Sequence, residues 1–191
     1  MNGEIMTRAG DLLNRKYNES WRNTSHIVPL MNALVSGYSI ALHKTLGAGA
    51  GAMTQILLTE VGEVMSAMVD IILGDEQLSF ETENTDEILK SALLKLGIAE
   101  DVEIESDRNN GLEKHKIYIK NSIFDSCHKI LIDKGIKEFP LSPEGLLCAS
   151  IIRRILREKT GGDAKARVNV NTKLPVDGET LILEITQVNK L

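Results

Sequence analysis

Cys127, His128 and Cys148 are the residues of this sequence whose types come closest to a reactive set. Two thiolates and an imidazole would fill three positions of a zinc site. Adjacent residues of a helix point about 100° apart, however, so Cys127 and His128 do not easily face one target. Both cysteines also fall on apolar stripes, where a free thiol behaves as a small buried hydrophobe. Core cysteines are therefore the expectation, with metal or thiol chemistry as the alternative. Glu60 and Glu63 stand one helical turn apart, a spacing that suits a shared metal or proton, but no histidine follows to complete a Glu-x-x-His pair. A solvated or interface-facing edge fits them better; if the helix is central, one of the two is expected to be partly buried and paired with Arg or Lys of a neighbouring helix.

Other candidates fail in detail. Gly47-Ala-Gly49-Ala-Gly51 lacks the lysine and hydroxyl of a phosphate loop, and a helical pattern precedes it where the dinucleotide fingerprint needs a strand. It reads as a turn between two helices. His26, His43, His115 and His128 are scattered over separate elements, no Gly-x-Ser-x-Gly elbow occurs, and no Ser-His-Asp arrangement is expected. Arg153, Arg154 and Arg157 offer contacts to an anionic headgroup or an acidic partner, with a solvated helix face as the plainer reading.

The elements that must position these residues follow from periodicity. Residues 1–24 read as a polar N-terminal segment and 25–191 as a single α+β domain. From His26, Ile27, Leu30, Met31, Leu34, Val35, Tyr38 and Leu42 recur at helical steps until Gly47. Leu46 to Gly74 follows, with Met53, Ile56, Leu57, Val61, Val64, Met65, Met68, Ile71 and Ile72 on a broad stripe, and is expected to be the central buried helix. Asn84 with Glu87 caps a further helix that Gly97 ends. The period then changes to two. Val102 and Ile104 alternate with acids, Arg108-Asn-Asn-Gly111 turns, and Ile117 and Ile119 alternate with polar residues, which is a hairpin with one wet face. Ser122 with Asp125 starts a short helix, and Ser142-Pro143-Glu144 starts a longer one that runs to about Lys159. A second hairpin, around Val168 and Val170 and from Thr180 to Val188, closes the chain. A helical N-terminal half is thus followed by ββααββ, which predicts a four-stranded antiparallel sheet with helices packed on one face.

Bulk composition excludes several classes. With 42% apolar and 26% charged residues over 191 positions, the chain can build a core without staples. A net charge of −5 opposes nonspecific nucleic-acid binding, and Glu60, Glu63 and Asp70 interrupt the longest apolar stretch, which opposes a membrane span. Two cysteines make no disulfide framework and the first twenty residues lack an apolar signal core, so a cytoplasmic protein is expected. No cofactor is implied.

In element order and local texture the chain resembles the 4-vinyl reductase (hydrocarbon-binding) domain, whose fold also occurs in the small subunits of the TRAPP vesicle-tethering complex. The residues that carry the resemblance are Val102-Glu-Ile-Glu105, Lys116-Ile-Tyr-Ile-Lys-Asn-Ser122, Pro143-Glu-Gly-Leu-Leu-Cys-Ala149 and Glu179-Thr-Leu-Ile-Leu-Glu-Ile185, within about 26–188. It implies an apolar channel for a hydrocarbon, acyl chain or flat aromatic, and pairing through the helices. Some members of that family are thought to hold a metal through cysteines and histidine late in the domain, but the last hairpin here, 165–188, has neither residue. The expectation is a homodimeric binding or sensing module whose apolar ligand meets Met53, Leu57, Met65, Met68, Phe124, Leu147 and Ile151. A structural interaction subunit with a filled core is the alternative, and an enzyme using Cys127 or Cys148 is a third reading.

Overall fold

The computed structural model describes residues 27–46, 50–73, 84–109, 112–137, 139, 142–160, 167–175 and 180–188. The polar segment 1–24, most of the Gly/Ala run, the acidic stretch 75–83 and the turn residues of both hairpins lie outside the described residues. The elements are α1 (Ile27–Leu46), α2 (Ala50–Leu73), α3 (Thr85–Lys95), β1 (Asp101–Asn109), β2 (Leu112–Lys120), α4 (Asp125–Asp133), α5 (Pro143–Thr160), β3 (Arg167–Lys173) and β4 (Thr180–Val188). The expected α+β order is present.

All three strand pairings are antiparallel, in the order β1-β2-β4-β3. The register places Val102 beside Ile119, Ile119 beside Leu181, and Ile117 beside Leu183, with Val170 beside Ile185 at the far strand. Alternation with period two therefore gathers these side chains on one dry face. On the wet face Lys120 pairs with Asp101 at 3.2 Å, Lys173 with Glu184 at 2.7 Å, and the Lys116 ammonium sits 4.9 Å from the Tyr118 ring centroid.

Helix α5 packs across β3 and β4 and presents Leu147, Cys148, Ile151, Ile152 and Ile155 to the core, while α3 covers β1 with Ile88, Leu89, Ala92 and Leu93. Ser142 caps α5 by accepting the Gly145 N–H at 3.0 Å, Pro143 occupies the first helical position, and the Ser142 and Thr172 hydroxyls meet at 2.7 Å, which ties the helix start to β3. Gly145 lets the two backbones approach. A Cβ there would stand 2.7 Å from Val170 Cγ1 and 2.8 Å from Ser142 Oγ.

The expected central helix is not the central one. α2 lies outside α5, buries Gly62, Val69 and Leu73, and leaves Ile56, Val61, Val64 and Ile72 exposed. α2 crosses α5 where Gly62 meets Ser150, and a Cβ at Gly62 would stand 3.4 Å from that of Ser150, an ordinary packing distance. α5 takes the central place because its apolar stripe is flanked by a cap that the sheet itself anchors.

Candidate functional site

Around the start of α5 the fold gathers a buried polar cluster. Glu144 and His128 are almost wholly shielded from solvent, and His128 Nε2 lies 3.2 Å from Glu144 Oε1, an ion-pair distance. The Ser122 hydroxyl donates to the same carboxylate oxygen at 2.5 Å and accepts the Phe124 N–H at 3.1 Å. Asp125 stands 3.6 Å from His128 Nδ1. Among the described residues Glu144 Oε2 and both ring nitrogens of His128 make no hydrogen bond, so the ring meets Glu144 and Asp125 through ion-pair contacts alone. Burial works against the imidazolium, but the Glu144 and Asp125 carboxylates outweigh it and hold His128 above the ordinary histidine value.

Cys127 and Cys148 flank this cluster. Burial pushes the Cys127 thiol up, against the Ser36 hydroxyl and with the Glu144 charge; burial and then Glu144 push Cys148 up far more strongly. Thiols so raised remain protonated at neutral pH, whereas attack and ligation need thiolate. Among the described residues no three His, Cys, Asp or Glu side chains form a metal-sized group. The arrangement suits an internal clamp that joins α4 to α5.

The structure also makes one grouping that sequence spacing did not suggest. Ser106 Oγ and Asp86 Oδ1 approach the same ring nitrogen of His115, Nδ1, at 2.8 and 2.9 Å, and the Ser106 hydroxyl donates to Asp86 at 2.7 Å. A hydrolytic triad places serine and carboxylate on opposite nitrogens. Here Ser106 and Asp86 share Nδ1, while the ring is fully buried and Nε2, 3.5 Å from Glu113 Oε1, makes no hydrogen bond among the described residues. The three residues fasten α3 to the first hairpin.

Of the seven residues expected to meet a ligand, Leu147 and Ile151 lie inside the core at 2% and 1% exposure, and half-buried Met65 and Phe124 pack against that core. Met68 is half-buried further along α2, and the side chains of Met53 and Leu57 lie outside the described residues.

Part of what faces outward from the helical half is apolar. On α1 the buried positions are Asn32, Ser36 and Ser39, while Val28, Leu30, Met31, Leu34 and Tyr38 are exposed. The polar side has work to do: Asn32 Nδ2 donates to the Ile123 carbonyl at 2.9 Å, and its Oδ1 accepts the Cys127 N–H at 3.2 Å, so α1 is docked on α4 by hydrogen bonds. On α2, Val61, Val64, Met65, Met68 and Ile72 form a stripe at steps of three and four.

The other flank of α2 borders a groove of about 330 Å³ against α5, lined by Thr59, Gly62, Glu63, Ala67, Ser150, Arg153, Arg154 and Arg157. Glu63 meets Arg157 Nη2 across the helices at 2.6 Å with both side chains exposed, the solvated edge expected of these glutamates and not the partly buried pair of a central helix. None of the seven expected ligand residues lines this groove.

Compared with known proteins, the chain is 61% identical over 193 residues to a protein of Methanocaldococcus jannaschii called "Uncharacterized protein MJ0312", a match that covers all of this chain and 94% of that one. No family model matches the chain, and no solved structure does.

Proposed function

From the premise that the chain belongs to the same family as the Methanocaldococcus jannaschii protein MJ0312, we propose a homodimeric module that pairs through α1 and α2 and binds a small apolar ligand in that helical layer. The observation that carries the reading is the exposed apolar face of α1, Val28, Leu30, Met31, Leu34 and Tyr38, on a helix whose inward side holds Asn32, Ser36 and Ser39 beside Val35 and Ile40. Exposed apolar patches rimmed by polar residues mark interaction surfaces. A twofold dimer needs a single self-complementary patch, which makes a second copy the simplest cover. Helices of 20 and 24 residues are about 30 and 36 Å long, enough to supply the roughly 800 Å² per partner of a standard interface.

The ligand class rests on the resemblance to the hydrocarbon-binding domain and on methionine. Met31, Met65 and Met68 border the outward stripes, and flexible thioethers repack around varied apolar shapes. A second reading, an interaction subunit with a filled core, draws support from Leu147 and Ile151, which are enclosed by other side chains. No helix among the described residues is long and apolar enough to cross a membrane. Both cysteines are free, which supports a reducing, cytoplasmic setting.

Native mass spectrometry of freshly purified protein, followed by organic extraction, tests the proposal. A dimer with a stoichiometric apolar adduct is the expected result. A dimer free of any adduct would favour the interaction subunit, and a monomer at micromolar concentration would sink both readings.

A further inference from the structure

We propose that α1 pairs with α1 of a second copy in an antiparallel crossing, the ridge of each seated in the groove of the other. The reading rests on the dimer proposed for the helical half and gives that dimer a register. From Ile27 to Leu42 the helix has no charged residue, although much of its circumference is exposed. Surface helices ordinarily carry charge on such a face. The charge-free run is a face that something apolar covers.

Its relief shows what fits. Leu30, Leu34 and Tyr38 stand at four-residue steps and are 69%, 51% and 66% exposed. Ala33, Gly37 and Ala41, also exposed, form the adjacent row at the same steps. Rows of this spacing make the ridges and grooves of the commonest helix packing, and here a ridge of large side chains runs beside a groove of small ones. Gly37 is the telling member. Glycine inside a helix is less favourable than alanine, yet the Gly37 backbone is not left-handed and a Cβ there would meet nothing within 4 Å. Its own fold gives no reason for glycine at that position, whereas a second helix lying against it does. With a twofold axis at the height of Val35 and Ser36, Leu34 meets the partner's Gly37, Leu30 the partner's Ala41, and Tyr38 the partner's Ala33. Each large residue then faces a small one. A patch that is both ridge and groove has the self-complementarity a twofold interface needs, and the antiparallel sense sets opposite ends of the two helix dipoles side by side.

Light scattering of the full chain over a dilution series reads the dimer. Gly37→Leu fills the groove, so the dimer should weaken at least about tenfold while circular dichroism stays that of the folded chain. Exchanging the two residues, Leu34→Gly with Gly37→Leu, keeps a large residue opposite a small one. It should recover most of that loss, which a variant damaged in its fold could not do. For the register, Leu34→Cys is mixed with Gly37→Cys under mild oxidation, with the native Cys127 and Cys148 buried out of reach. The mixed disulfide should form ahead of the bridge of either variant to itself. Self-bridging that wins would mean a parallel pair and overturn the proposal, as would a loss that the exchange leaves in place. A dimer indifferent to Gly37→Leu would overturn it too, and would leave a dimer formed through other residues standing. A wild-type monomer at micromolar concentration would remove both.

Discussion

Glu144 shows how much a single residue can hide. Within Ser142-Pro143-Glu144 it reads as an acid in the first turn of a helix, where the helix dipole favours it. In the fold that position is sealed, and the carboxylate becomes the hub for Ser122 and His128. The Glu144 charge reaches both Cys127 and His128, although adjacent helix residues point about 100° apart. Their adjacency did not reveal that each side chain would find its own cover, Cys127 near Ser36 and His128 against Glu144. The His128 proton has a consequence for stability. Because the folded state holds this imidazole above its ordinary value, the stabilisation is complete below about pH 6.5 and is lost as pH rises through the raised value. Thermal midpoints measured from about pH 6 to 9 should fall across that window. His128→Gln should flatten the fall and cost about 3–5 kcal/mol, since Glu144 would lose its cation. An unchanged slope in the variant would mean that another group titrates.

At the scale of elements, the helix starts at Asn84 and Ser142, the stops at Gly97 and Gly135, and both hairpins were legible, because caps and turns are written in a few adjacent residues. The orientation of α1 and α2 was not. A helix that is apolar on one side ordinarily turns that side inward, but α1 turns only Val35 and Ile40 toward the core and buries Asn32, Ser36 and Ser39 beside them, which find partners against α4 and within α1 itself. In α2 the apolar residues run most of the way round, so periodicity could not choose a face, and the face that is buried is the one that carries Gly62, Val69 and Leu73. Asn32→Ala tests the docking. It strands the Cys127 N–H and the Ile123 carbonyl, which should cost about 1–3 kcal/mol. Amide exchange in α1 should accelerate well beyond that in α5. Equal acceleration in both helices would mean that α1 does not open separately.

Across the whole molecule, fold class followed from element order, whereas strand order did not, because two hairpins can join along either edge. The dimer is a claim at this scale. Leu34→Lys and Val64→Lys place charge on side chains that are 51% and 63% exposed in one chain, so the folded protomer should lose no more than about 0.5 kcal/mol. Both should shift the mass measured by light scattering from dimer to monomer. A dimer that survives both substitutions would place the interface away from these stripes.

The strand order has a kinetic consequence. Each hairpin joins neighbours in sequence, but the β2–β4 seam joins residues 60 to 76 positions apart, from Lys120↔Thr180 to Leu112↔Val188. Closing so long a loop costs chain entropy before the ladder returns any of it, and such contacts slow folding. The hairpins can zip locally, while the search that unites them waits on the α4–α5 segment threaded between. Since Ser122, His128 and Glu144 all lie in that intervening segment, their clamp, once made, shortens the loop that the seam has to close.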